Sequence, residues 1–177
     1  MSAPITLRSL VGLPATATPI AQSALIIIDA QNTYTEGLMQ LEGVTPALAQ
    51  CKQLLDRFRQ AGRPIFHIQH DAGAGSPYDI NSPMGQIVSL LTPQAGEPVI
   101  TKHYPNAFTE TTLDAQLKAL GIQQLILVGF MTHMCVNSTA RGAFSLGYRA
   151  TVVASATATR ALPAAVGGEA VSASQLQ

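Results

Sequence analysis

Charge is scarce in this chain: only 11% of its 177 residues are Asp, Glu, Lys or Arg, and ten basic residues cancel ten acidic ones. No block of Lys or Arg occurs, so the electrostatic footprint of a nucleic-acid binder is missing. Long apolar runs are absent as well. No apolar run approaches the ~20 residues that span a bilayer, so no membrane helix is read and no membrane association is expected. The N-terminal MSAPITLRSLVGLPATATPIAQS has no basic start followed by an apolar core, so no export signal is read there. Cysteine is limited to Cys51 and Cys135, and a reducing, cytoplasmic setting is expected in place of a disulfide. A glycine-rich phosphate loop is also lacking: the first apolar run, ALIII at 24–28, passes straight into Asp29-Ala30-Gln31-Asn32, which argues against a dinucleotide-binding domain.

What is present is apolar. Hydrophobic residues make up 47% of the chain and the mean hydropathy is +0.23, enough for one domain with a sizeable core. With few charges to cover the surface, some apolar area is expected to be shared between subunits of a homo-oligomer.

Strand and helix patterns alternate along the chain. ALIII at 24–28 reads as a buried strand, 46–62 as a helix with Pro46 in its first turn and Gly62 past its end, and PIFHIQ at 64–69 as the next strand. A loop rich in Gly, Ser and Pro runs from Asp71 to Pro83, followed by an amphipathic segment at 84–91 and an extended piece, EPVITK, at 97–102. A helix at 111–121, opened by Thr capping residues, leads to the strand LILVG at 125–129; a second helix follows, then ATVVA at 150–154. The pattern predicts an α/β, three-layer Rossmann-like fold, a mostly parallel β-sheet flanked by helices. Residues 1–22, enriched in Pro, Thr and Ala, read as an extended arm ahead of one domain at 23–177.

The segment Gly129-Phe130-Met131-Thr132-His133-Met134-Cys135-Val136 puts a thiol where a buried strand stops and a helix starts. Unpaired N–H groups and the positive end of the helix dipole at such a place favour thiolate over thiol and can receive an oxyanion. If the strands are parallel neighbours, Asp29 after the first, Lys102 after PVIT and Cys135 after LILVG converge on one edge of the sheet. A carboxylate near a thiol can accept its proton and return it to a leaving amine, and a lysine holds that carboxylate ionised. Cys51 lies on a helix face with Leu48, Leu54 and Leu55 and reads as core.

On ALIIIDAQNTY at 24–34, residues 100–148 and TVVASATATR at 151–160, the chain resembles the isochorismatase-like cysteine hydrolases, a superfamily that includes small-amide hydrolases. The resemblance implies an Asp29, Lys102 and Cys135 triad and a cis peptide between Phe130 and Met131. It further implies an oxyanion hole from the Met131 and Cys135 N–H groups, with Thr132 supporting the turn. Tyr34, His70, His103, Thr132 and His133 are candidates for the substrate pocket, His70 the foremost among them. The chain departs from many relatives at Thr33 and Tyr34 after the first motif and at Ser155, which stands where an acidic residue is common. The Asp-x-His spacing with which nicotinamidases bind a metal is also missing around His67, His70 and Asp71, so neither a metal nor another cofactor is expected. The implied reaction is hydrolysis of a small amide, carbamoyl or related non-peptide C–N bond through a thioester. Two rivals are an isochorismatase-type enol-ether hydrolase, which does not require the thiol, and a catalytically idle binding protein on the same scaffold.

Overall fold

The structure is a computed structural model that describes residues 5–14, 16–164 and 166–177. Five strands, β1 (Ser23–Ile28), β2 (Ile65–His70), β3 (Val99–Lys102), β4 (Gln124–Phe130) and β5 (Arg149–Ala158), form one sheet in the order β3-β2-β1-β4-β5. Every ladder between them is parallel. The helices are α1 (Leu7–Leu10), α2 (Val44–Gln60), α3 (Leu113–Ala119), α4 (Asn137–Ser145) and α5 (Ala173–Leu176), and a π-helical turn at Thr132–Val136 runs directly into α4.

The sheet is covered on both faces, so its central strands are apolar without alternation. All six residues of β1 are buried. Leu25 and Ile27 pack on one side with Leu48, Cys51, Leu55 and Phe58 of α2. Ala24, Ile26 and Ile28 pack on the other side with Leu113 and Leu117 of α3 and Ala143 of α4. Each such large side chain contributes on the order of 2 kcal/mol by leaving water. The two faces follow from right-handed crossovers: α2 links β1 to β2 in one direction across the sheet, whereas α3 and α4 lead toward β4 and β5 in the other. The reversal falls between β1 and β4, whose carboxyl ends lie side by side. A crevice at that end is where open parallel sheets bind ligands.

Several sequence readings are adjusted. Helix α2 starts two residues earlier than expected and ends at Gln60; Gly62 then takes φ +59° while the Arg63 N–H closes onto the Phe58 carbonyl. Thr112 stands at the start of α3 without a side-chain cap, because it is Thr111 whose hydroxyl accepts from the Leu113 N–H. The amphipathic stretch at 84–91 is not one helix but two single 3₁₀ turns, Pro83–Gly85 and Ser89–Leu91, joined by an isolated bridge from Ile87 to Gln31. The N-terminal arm is not wholly extended, since it winds one turn at Leu7–Leu10. Its Thr18 is buried against Thr151 of β5. Strand β5 runs on to Ala158 through an irregularity opposite Leu127 and Gly129. Gly129 sits there at φ +108°, and a Cβ on it would fall 2.0 Å from the Ile28 carbonyl oxygen.

Candidate active site

Three strand ends meet at this crevice. Asp29 follows β1 directly, in the left-handed region at φ +49°, with its N–H donated to the Ile68 carbonyl of β2. Asp tolerates that conformation better than most residues, and an outlier of this kind needs surrounding structure to hold it. Here the hold comes from the residues that follow. The Gln31 side chain accepts from the His70 N–H and donates to the His70 and Gly85 carbonyls, while the Asn32 amide donates to the Pro83 carbonyl. The turn after β1 is thus tied to the end of β2 and to the loop beyond it.

Lys102 is the last residue of β3 and pairs in register with His70 of β2. Its ammonium nitrogen lies 2.8 Å from Asp29 Oδ2, 3.2 Å from His70 Nδ1 and 3.4 Å from Cys135 Sγ. Asp29 and Lys102 are 0% exposed and Cys135 is 6% exposed. Neither Asp29 oxygen accepts a well-aligned hydrogen bond among the described residues, so the contact with Lys102 holds by charge and proximity. Cys135 sits in the π-helical turn, and the peptide bond between Phe130 and Met131 just before that turn is cis.

The electrostatics correct one sequence expectation. Burial pushes the Asp29 carboxyl up, against the pull of the Lys102 charge. The Cys135 thiol is likewise pushed up to about 12, first by burial and then by the Asp29 charge, with Lys102 opposing. A helix terminus alone would favour thiolate; a buried thiol facing a carboxylate does not. At rest the sulfur is protonated. Moving its proton to Asp29 leaves one negative charge beside Lys102 in either arrangement, so the transfer separates no charge from its counterion.

The remaining candidates divide. Tyr34 is buried, edge-on to Tyr78 at 5.7 Å and to Phe130 at 5.8 Å, and its hydroxyl is pushed up by burial and by the Asp29 charge. His70 contacts Lys102 and stands edge-on to Tyr78 at 5.2 Å. His103 is exposed and bonds through Nδ1 to the Asp71 carbonyl, a partner outside the triad. His133 bonds through Nδ1 to the Thr159 hydroxyl. The Thr132 hydroxyl donates to the Gln177 side chain, so its described bond reaches the C-terminal segment and not the turn around Cys135. Ser155 is exposed. Tyr78 and Gln31 were not singled out from the sequence. The one signal for Tyr78 was a lone aromatic in a Gly/Ser/Pro loop, and Gln31 was visible only as part of the first motif.

Among the described residues, no cluster of three or more His, Cys, Asp or Glu is arranged to hold a metal ion, and no helix is long and apolar enough to cross a membrane. His67 instead hydrogen-bonds through Nε2, at 3.0 Å, to Glu97, whose carboxylate is ion-paired with Nε and Nη2 of Arg59.

A doubly wound parallel sheet brings a buried Asp, Lys and Cys together near its switch point, and the comparisons place this α/β architecture in a family. The family model for the isochorismatase domain matches residues 23–166, and the chain belongs to the isochorismatase family. It is 36% identical over 157 residues to the secreted isochorismatase effector Isc1 of Verticillium dahliae, covering 88% of this chain and 83% of that protein. The crystal structure of an isochorismatase from Pseudomonas putida KT2440 superposes with a TM-score of 0.93 at 41% identity, covering 98% of this chain and 89% of that one. Ureidoacrylate amidohydrolase RutB of Stutzerimonas stutzeri is 30% identical over 187 residues, covering 83% of this chain and 75% of its own.

Proposed function

We propose that this protein is a cysteine-dependent hydrolase of a small non-peptide C–N bond, with Asp29, Lys102 and Cys135 acting as one unit. The observation that carries the reading is a single buried ammonium within reach of both the carboxylate and the sulfur. Asp29 takes the thiol proton, and the sulfur attacks the carbonyl carbon of an amide or carbamoyl group. Backbone N–H groups of Met131 and Cys135 receive the oxyanion, an interaction whose loss typically costs about 100- to 1,000-fold in rate. Asp29 then returns the proton to the departing amine. Water adds to the thioester, giving up a proton to Asp29, and the acid leaves as the sulfur recovers that proton. Access through a 6%-exposed cysteine favours a small, compact substrate. The name of the amidohydrolase relative supports the C–N class. An ammonia-release screen against small amides, ureas, carbamoyl compounds and imides tests the reading.

A second reading is enol-ether hydrolysis by acid catalysis from Asp29. It is favoured by the upward shift of the Asp29 carboxyl, which helps it hold a proton to donate, and by relatives named as isochorismatases. Cys135→Ala separates the two: C–N hydrolysis would vanish, whereas enol-ether hydrolysis would survive.

A further inference from the structure

We infer that His70 is a positioning residue for Lys102: its neutral Nδ1 accepts one N–H of the ammonium that is paired by charge with Asp29, and so keeps the head group aimed at the sulfur. The inference rests on the reading that Lys102 stabilises the Cys135 thiolate.

A lysine ammonium has three N–H donors and no acceptor capacity, and buried donors are costly when left unmet. Around Lys102 Nζ stand three polar neighbours at 2.8, 3.2 and 3.4 Å: Asp29 Oδ2, His70 Nδ1 and Cys135 Sγ. The chemistry of the third neighbour matters. A second carboxylate in the place of His70 would neutralise the ammonium and weaken its pull on the sulfur; a hydrocarbon would leave one N–H without an acceptor and let the head group turn toward Asp29. A neutral imidazole supplies a lone pair and no charge. Accepting through Nδ1 places the ring proton on Nε2.

The surroundings hold that state. Burial comes first and the adjacent Lys102 charge second in pulling the His70 ring down to about 4, so it carries no charge at neutral pH. The other charged or titratable groups that act on it are His103, which also lowers it, and Asp71, which raises it. Tyr78 meets the ring edge-on at 5.2 Å and fixes its plane. The backbone is fixed independently, since the Gln31 amide brackets the His70 N–H and carbonyl at 2.9 Å each. An imidazole clamped at the main chain, met edge-on by Tyr78 and within 3.2 Å of a buried ammonium is more than a wall of the pocket.

Two substitutions separate the acceptor from the ring. His70→Phe keeps the aromatic contact with Tyr78 and removes the lone pair; His70→Asn keeps an acceptor close to the position of Nδ1 and removes the ring. The first readout needs no substrate: the rate of Cys135 alkylation by iodoacetamide at about pH 8, followed by peptide mass spectrometry, tracks the thiolate fraction. His70→Phe should slow alkylation about tenfold, the effect of raising a thiol pKa by one unit, and His70→Asn should stay within about threefold of the parent. With an active substrate from the screen, His70→Phe should lower kcat by about ten- to a hundredfold with KM little changed, and His70→Asn should recover most of it. Equal alkylation rates for the parent and His70→Phe, or equal losses in Phe and Asn, would overturn the inference. If His70→Phe fails to fold, judged by circular dichroism, His70→Leu takes its place against Asn on the same criteria. A shifted alkylation rate in a protein that hydrolyses nothing in the screen would leave the role of His70 standing and remove the proposed function instead.

Discussion

Lys102 Nζ lies 2.8 Å from Asp29 Oδ2, and solvent reaches neither residue. A buried ion pair of this kind is weak support for stability, because the cost of desolvating two charges offsets most of their attraction. Its value lies in the third group, the Cys135 sulfur 3.4 Å from the same ammonium.

Replacing Asp29 by Asn or Cys135 by Ser should each reduce hydrolysis by at least about a thousandfold, because each removes one end of the same proton transfer. The double variant should be scarcely worse than either single one. Steady-state rates of the three variants check this, and losses that multiply would show two independent contributions.

Both thiols are pushed up to about 12, but for different reasons: Cys51 is wholly buried and its sulfur hydrogen-bonds to the Ala156 carbonyl, whereas Cys135 faces Asp29 and Lys102. An elevated thiol pKa means protonated sulfur at neutral pH, with reactivity rising as pH rises toward that value. Iodoacetamide should therefore label Cys135 before Cys51, and about tenfold faster for each pH unit between 7 and 9. A plateau beginning near pH 7 would indicate a thiolate already formed at rest.

Glu97 anchors the outer edge of the sheet to α2. Arg59, the Gln94 N–H and His67 hold its carboxyl down to about 2, against an ordinary 4.5, in a side chain that is 9% exposed. A carboxylate held down on folding adds stability above its unfolded pKa and loses it as pH falls through the folded value. The contribution at neutral pH is on the order of 2 kcal/mol after solvent screening. Glu97→Gln should be less stable than the parent at pH 7, and the difference should shrink between about pH 4.5 and 2, as read by urea unfolding. A difference that stays constant with pH would mean the loss is one of packing.

Gly129→Ala should destabilise the fold by about 3 kcal/mol or more, since the added Cβ would fall 2.0 Å from a backbone oxygen of β1 at a φ of +108°. Thermal unfolding checks this, and a shift of less than ~2 °C would mean that β1 and β4 move apart without cost.

The fold was largely legible because buried parallel strands leave short apolar runs and the helices between them end on glycines such as Gly62. The convergence of Asp29, Lys102 and Cys135 followed from strand ends once parallel pairing was assumed, since each residue closes a run. The chemistry of the sulfur was misread. The helix-terminus rule counts dipoles along the sequence, but the burial and the facing carboxylate that dominate Cys135 are three-dimensional. The walls around the site were hidden for a related reason. Tyr78 belongs to a loop with no period to read, and it meets Tyr34 and His70 edge-on in a fold where Gln31 and Asn32 fasten the far end of that loop, around Pro83–Gly85, beside the end of β1. His103 shows the converse: next in sequence to Lys102, it lies just past the end of β3, exposed and bonded to the Asp71 carbonyl.

The proposed chemistry stands or falls on the sulfur. Ammonia release from small amides, ureas, carbamoyl compounds and imides, measured for the parent protein beside Cys135→Ala, tests it most directly. The parent is expected to turn over at least one of these compounds, with intact-mass measurement trapping an acylated Cys135, and Cys135→Ala is expected to be inactive. Turnover that persists in Cys135→Ala would contradict thiol catalysis.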